Sequence, residues 1–302
     1  MRCLVTGGLG FIGSNLVDRL IRDGHEVTVI DNLSTGKREN LNPAASFVQA
    51  SIEDYHFDQL EQQDVVFHLA ALARIQPSIA DPVAFHRANV LGSLRVFKAA
   101  VDWGARVVFS SSSSIYGDAE HLPVGELEEP NPASPYALQK LICEQYLKLF
   151  ADLYGLQAIA LRYFNVFGER QILEGSYAAV VGILMDQHAK GQPFTIVGDG
   201  EQRRDFTYVG DVVDANVKAA IIPARDTGRP NFEVVNIGTG NNTSMNELAA
   251  AISQEHPREY LAERKGEARE TRASIGKAVA MLEWHPTVAI EDWIKKTMGK
   301  AV

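Results

Sequence analysis

Val5-Thr6-Gly7-Gly8-Leu9-Gly10-Phe11-Ile12-Gly13 is the stretch that decides how this chain folds. A short apolar run at 3–5 leads into it and a helical pattern leads out, so its glycines sit where a strand turns into a helix. Gly7, Gly10 and Gly13 stand at GxxGxxG spacing. Glycine there lets the chain turn sharply, lets a pyrophosphate approach the backbone, and brings the phosphates to the positive end of a helix. A glycine triplet alone also fits an ordinary turn, so its surroundings have to decide. The next apolar run, 27–30, ends at Asp31, where a carboxylate accepts hydrogen bonds from ribose hydroxyls and repels a 2'-phosphate. The expected cofactor is therefore NAD in preference to NADP; Lys37 and Arg38 follow closely but are less well placed than Asp31.

Further runs at 65–69, 107–109 and 158–161 are short and partly β-branched, as buried parallel strands are. Helical spacing fills most of the gaps. One helix opens at Asp81-Pro82, a cap followed by a proline suited to the first helical position, and carries Phe85, Ala88, Leu91, Leu94 and Phe97. The βαβαβ order predicts an α/β fold with a Rossmann-type doubly wound parallel sheet. Beyond Phe167 the alternation becomes irregular, with Gly, Pro and charged residues at 191–205 and 225–230. The expected division is a dinucleotide-binding domain at 1–166, with 208–235 returning to it, and a smaller α/β substrate-binding lobe from 167–207 and 236–302. Within that lobe Ser244 to Glu247 reads as a capping box, and 274–282 reads as helical.

Bulk properties narrow the function. The chain has 302 residues, 46% of them hydrophobic, enough for one large core or two modest ones. Its net charge of -9 argues against a nucleic-acid partner, which needs a cationic face. Cys3 and Cys143 have no metal-ligand spacing, and no metal is expected. No apolar run is long enough to span a bilayer, and the first residues enter a strand without a signal-like segment, so no membrane partner and a cytoplasmic location are expected.

Tyr136-Ala137-Leu138-Gln139-Lys140 places a phenol and an ammonium one helical turn apart on one face. Tyrosine ordinarily titrates near pH 10, but a neighbouring lysine and an oxidised nicotinamide both favour the phenolate. Tyr136 then accepts the proton of a hydroxyl whose carbon loses hydride. Ser112, just past a strand end, is placed to hydrogen-bond the same oxygen. YxxxK alone occurs often on surface helices; with the glycine turn and Ser112 in this order it reads as catalytic. His68, ending an apolar strand, reads as a packed and hydrogen-bonded residue.

Taken together, Thr6 to Gly13, Asp31-Asn32-Leu33-Ser34-Thr35-Gly36, His68-Leu69-Ala70-Ala71, Asn89, the segment from Phe109 to Gly117, Ser134 to Lys140, Leu161 to Gly168 and Arg204-Asp205-Phe206 resemble the extended short-chain dehydrogenase/reductase family, in its nucleotide-sugar epimerase and dehydratase branch. The resemblance covers nearly the whole chain. It implies that NAD is held by Gly7, Gly10, Phe11, Ile12, Gly13, Asp31, Asn32, Ser34, Thr35, Gly36, Ser51, Ile52, Leu69, Ala70, Ala71, Asn89, Ser110, Tyr136, Lys140 and Tyr163. For the substrate it implies Ser112, Ser113, Ser114, Tyr136, Asn165, Tyr177, Thr195, Val197, Arg204, Arg264, Glu267 and Thr271, with Asn165 and Arg204 on a diphosphate. There are two departures. Ala50-Ser51-Ile52 stands where relatives usually have Gly-Asp-Ile, and Arg264-Lys265-Gly266-Glu267 replaces the more usual Arg-Pro-Gly-Asp.

Dehydratases of this family carry an acidic pair after the strand-end hydroxyl residue, and decarboxylases tend to carry a glutamate in the same turn; here Ser112 is followed by Ser113 and Ser114. The resemblance thus implies a UDP-sugar 4-epimerase, in which hydride leaves C4 for NAD and returns to the other face of the keto sugar. Thr271 falls where strict UDP-glucose enzymes place a bulky tyrosine, so UDP-glucose/UDP-galactose and the N-acetylated pair are expected. UDP-glucuronate epimerases usually have threonine at the Asn165 position. The alternatives are a UDP-glucuronate epimerase or dehydratase on the same scaffold and, from another class, a non-catalytic NAD-binding regulator. The family also implies a homodimer through a four-helix bundle built from the helices near 83–102 and 137–153.

Overall fold

A computed structural model describes residues 1–173, 175, 177–222 and 231–299; the irregular stretch expected at 225–230 lies outside them. The first half alternates as β1 (Arg2–Thr6), α1 (Phe11–Arg22), β2 (Glu26–Asp31), β3 (Ser46–Gln49), β4 (Val65–His68), α2 (Ile75–Ala80), α3 (Pro82–His86), α4 (Gly92–Trp103), β5 (Arg106–Ser112), α5 (Pro135–Tyr154), β6 (Ala158–Tyr163) and β7 (Val166–Phe167). The second half runs α6 (Val180–Ala189), β8 (Phe194–Val197), β9 (Arg203–Arg204), β10 (Thr207–Tyr208), α7 (Val209–Ile221), β11 (Phe232–Ile237), β12 (Thr243–Ser244), α8 (Met245–Ile252), β13 (Arg258–Leu261), α9 (Gly276–Leu282) and α10 (Ile290–Met298).

Seven strands form one parallel sheet in the order β11-β6-β5-β4-β1-β2-β3. Its central strands are apolar on both faces because helices cover both. Val5, Leu16, Leu20, Phe67 and Val212 belong to one core, and Leu4, Val66, Phe97, Phe109 and Leu147 to the other. The chain winds outward from β1 through β2 to β3, then crosses back to β4 beside β1. That reversal opens a crevice at the carboxyl ends of β1 and β4, where ligands of doubly wound sheets bind.

The smaller part of the molecule pairs β8 with β13, β9 with β12 and β7 with β10 around Phe167, Leu184, Phe194, Leu248, Trp293 and Ile294. Ser244 and Glu247 cap α8 reciprocally. The C-terminal chain is not all in this lobe: Ala278 and Leu282 of α9, with Trp284, pack into the core of the large sheet, and β11 continues to Ile237. Asp81 caps α3 by accepting from the Ala84 N–H, with Pro82 behind it. Between α3 and α4 the backbone widens into a π-helical turn at Arg87–Leu91, which turns Asn89 inward to 2% exposure.

Candidate active site

A cavity of about 560 Å³ lies along the carboxyl ends of β1, β4 and β5 and extends beneath the smaller lobe. At its dinucleotide end a methyl group on Gly13 would stand 2.2 Å from the Gly7 carbonyl oxygen, and one on Gly7, whose φ is +70°, would stand 2.7 Å from the Ala70 nitrogen. Side chains cannot enter this turn, so its backbone is bare toward the cavity. Phe11, Ile12 and Gly13 line it from the first turn of α1, where N–H groups have no intrahelical acceptor. The cradle suits a pyrophosphate.

Asp31 ends β2 at the cavity edge. Its carboxylate accepts from Leu9 N at 3.0 Å and Leu33 N at 2.8 Å, leaving one lone pair on each oxygen for hydroxyl donors. Asn32, Ser34, Thr35, Ile52, Leu69, Ala70, Ala71, Ser110 and Tyr163 also line the cavity. Gly36, Ser51 and Asn89 stand behind this wall. Gly36 leaves room for the Asp31 carboxylate, and Ser51 Oγ accepts from Asn32 Nδ2 at 2.8 Å. Asn89 clasps the loop after β4: its Oδ1 accepts from Leu72 N, while Nδ2 donates to Leu72 O and to Gln139 Oε1.

Ser134 caps α5 by accepting from the Ala137 N–H, and Pro135 occupies the first helical position, so Tyr136 enters the cavity from the first turn. Lys140 follows one turn later, 3% exposed, with Nζ donating to the Ser110 carbonyl at 2.6 Å. The ammonium lies 4.7 Å from the centre of the Phe109 ring and 5.9 Å from that of Tyr136. Burial lowers its pKa from 10.5 to about 8. Burial also raises the Tyr136 phenol, against a hydrogen bond from Ser112 and the nearby charge of Arg74. Ser112, Ser113 and Ser114 all face the cavity, and the Ser112 and Ser114 hydroxyls lie 2.8 Å apart. His68 is fully buried between Thr6 Oγ1 and Ser93 Oγ, and burial drives its pKa down to about 3, so it stays neutral.

Tyr177, Thr195, Val197, Arg204, Arg264, Glu267 and Thr271 line the opposite wall. Arg204 donates to the Arg203 and Arg269 carbonyls through Nη1 and keeps Nη2 3.9 Å from Glu267. This is a loose pairing that leaves a cation for a diphosphate. Next to it, the fully buried Asp205 carboxylate ties loops together, accepting from Thr239 N and Oγ1, Gly240 N and Ala273 N. Asn165 differs from the sequence expectation in detail. Its Nδ2 donates to Asp205 O at 3.1 Å and Thr271 Oγ1 at 3.3 Å, so the free atom of its amide is an acceptor, better matched to a sugar hydroxyl than to a phosphate.

Two features escaped the sequence reading. Arg74 lies in the cavity wall beside Tyr136; the one signal for it was a lone cation among alanines after β4. Glu144 and Arg162 form a buried ion pair beneath the serine turn, with no sequence signal beyond charges in apolar elements. Among the described residues no group of three or more His, Cys, Asp or Glu side chains could hold a metal ion, and no helix is long and apolar enough to cross a membrane.

Residues 3–238 match the NAD dependent epimerase/dehydratase family. A UDP-glucose 4-epimerase of Mycolicibacterium smegmatis is 40% identical, over 99% of this chain and 97% of its own. The structure of a UDP-glucose 4-epimerase from Thermotoga maritima with UDP-glucose superimposes with a TM-score of 0.92 at 39% identity, covering 100% of this chain and 99% of that one. That of a UDP-N-acetylglucosamine 4-epimerase from Methanobrevibacter ruminantium, in complex with UDP-N-acetylmuramic acid, gives 0.89 at 38% identity, covering 99% and 98%. The chain therefore belongs to the NAD dependent epimerase/dehydratase family.

Proposed function

We propose that this enzyme interconverts UDP-glucose and UDP-galactose, and the N-acetylated pair, by epimerisation at C4. The observation that carries this reading is the turn after β5, which presents only the hydroxyls of Ser112, Ser113 and Ser114 to the cavity that holds Tyr136 and Lys140. Expelling a substituent from C6 needs an additional acid and base, and this turn has none.

The glycine turn and Asp31 would hold NAD, which when bound would supply the hydride acceptor and donor for C4. The protein's own side chains handle the proton. Tyr136 as phenolate takes the proton of the C4 hydroxyl, and Ser112 donates a hydrogen bond to it while it is charged. The Lys140 ammonium, fixed on the Ser110 carbonyl, lowers the cost of that phenolate in a site that burial makes hostile to charge. When the sugar has turned its other face, the same phenol returns the proton to the oxygen. Arg204 and Arg264 hold the diphosphate meanwhile, so the hexose turns about a fixed anchor. The small side chain of Thr271, tied to Asn165, leaves room for an N-acetyl group.

The test is to incubate the enzyme with NAD and UDP-galactose or UDP-N-acetylgalactosamine and identify products by NMR. The gluco epimers should form with no keto sugar released and no net change in NAD. Accumulation of a 4-keto sugar would overturn the reading, and absence of turnover with intact NAD binding would favour a regulator. As part of the same reading, exposed Val83, Leu91, Leu138, Leu149, Leu153 and Tyr154 mark the helices of a homodimer, testable by light scattering.

A further inference from the structure

Arg74 is the only charged residue in the loop 69–74 that follows β4, and it is held there at a conformational cost. Its φ of 119° lies where residues with a side chain rarely go. The segment around it is pinned on every side: Leu72 N donates to Asn89, Gln76 Nε2 donates to Lys265 O at 2.9 Å, and Ser78 Oγ accepts from Tyr136 N at 3.2 Å. Arg74 Nε donates to the Tyr177 carbonyl at 2.8 Å, which fixes the guanidinium across the cleft between the two lobes. Among the described residues its two terminal nitrogens make no hydrogen bond or ion pair, and the group lines the cavity.

That leaves a planar two-nitrogen edge, positively charged and partly dehydrated, on a residue that lines the cavity. Burial lowers its pKa, and the group it meets electrostatically is Tyr136. On the reading proposed above, Tyr136 marks C4 of the hexose, so Arg74 lies at the sugar end of the cavity. The diphosphate already has Arg204 and Arg264 on the other wall. A neutral hexose gives such an edge nothing of matching charge, whereas a carboxylate matches it with two parallel hydrogen bonds. We infer that Arg74 is a carboxylate-binding residue, and that UDP-hexuronates are substrates of this site alongside the neutral hexoses. The inference rests on the epimerase reading and widens its substrate class beyond what Asn165 indicated.

The experiment compares the NAD-loaded wild-type enzyme with Arg74→Ser and Arg74→Lys on UDP-galactose and UDP-glucuronate, with calorimetric titration of UDP-glucuronate in parallel. The wild type should bind and epimerise UDP-glucuronate. In Arg74→Ser the ratio of kcat/KM for UDP-glucuronate over UDP-galactose should fall about 30-fold or more, the scale expected when one partner of a desolvated charge pair is removed; Arg74→Lys, which keeps the charge without the fork, should fall between. An equal loss on both substrates with a shifted pH profile would overturn the inference, because Arg74 would then act through the Tyr136 phenol. So would a wild type that turns over UDP-galactose but neither binds nor turns over UDP-glucuronate. Should no substrate be epimerised while UDP-glucuronate binds and Arg74→Ser abolishes that binding, the epimerase reading fails and the carboxylate site stands.

Discussion

Lys140 and Glu144 lie one turn apart on α5, both almost fully buried, yet the fold treats their charges in opposite ways. Glu144 accepts from Arg162 Nε at 3.0 Å and Nη2 at 2.6 Å and from Ser111 Oγ at 2.5 Å, so its charge is answered from two strands. Arg162 also lies over the Tyr116 ring, and although burial works against its charge, Glu144 more than offsets that and raises its pKa. Lys140 has a carbonyl and an aromatic face instead of a carboxylate within reach, and burial pulls its pKa down to about 8. Glu144 acts on it only from a distance, restoring part of the lost basicity. One turn of helix separates a charge neutralised for structure from a charge left available for chemistry.

The contrast is broken most severely at Lys140. Lys140→Met should lower kcat about 10³-fold, within the span that positioned acid and base groups contribute, while the melting temperature holds or rises because a poorly compensated charge has left the interior. A loss of stability matching the loss of activity would mean that Lys140 is as structural as Glu144. At Glu144 the expectation reverses. Glu144→Leu strands the Arg162 guanidinium and should cost about 3–5 kcal/mol in urea denaturation at pH 7, and adding Arg162→Met should recover most of it.

A pH series sharpens the same comparison. The folded-state pKa of Lys140 is about 8 against an ordinary 10.5, so between these values the unfolded chain binds the extra proton. Stability attributable to Lys140 is therefore lowest below about pH 8 and rises as pH increases toward 10.5. The gain is on the order of 3 kcal/mol, read as the difference between wild type and Lys140→Met. Activity should move the other way, with kcat falling as pH rises through about 8 and the ammonium beside Tyr136 is lost. Parallel rise of both curves would remove the ammonium from the mechanism.

What the sequence disclosed follows the same line. Gly7, Gly10, Gly13, Asp31, Ser112, Tyr136 and Lys140 were legible because each is set by local spacing at a strand end or on one helix face. The Asp81 and Ser244 caps were legible for that reason too. The placement of β11 and α9 against the large sheet is decided by long-range packing, which spacing along the chain does not encode. Glu144, Arg162 and Arg74 carry little local signal, because what each does is set by a partner strand or a cavity wall distant in sequence. Asn89 matched a family position, but the π-helical turn that swings it behind the wall is a matter of backbone geometry.

Ser111 carries the smallest effect and the most discriminating one. It follows Ser110, whose carbonyl holds Lys140, and precedes Ser112, yet its hydroxyl points away from them to Glu144. Ser111→Ala removes one charge-assisted hydrogen bond while leaving the bidentate Arg162 contact, so a loss of about 1.5 kcal/mol is expected in denaturant titration. If neutralised and available charges are separate devices, kcat should stay within about twofold of wild type, as for mutations at independent sites. If kcat falls tenfold or more at unchanged KM, the Ser110 carbonyl has shifted with its neighbour, and the ion pair is then part of what aims Lys140 at Tyr136.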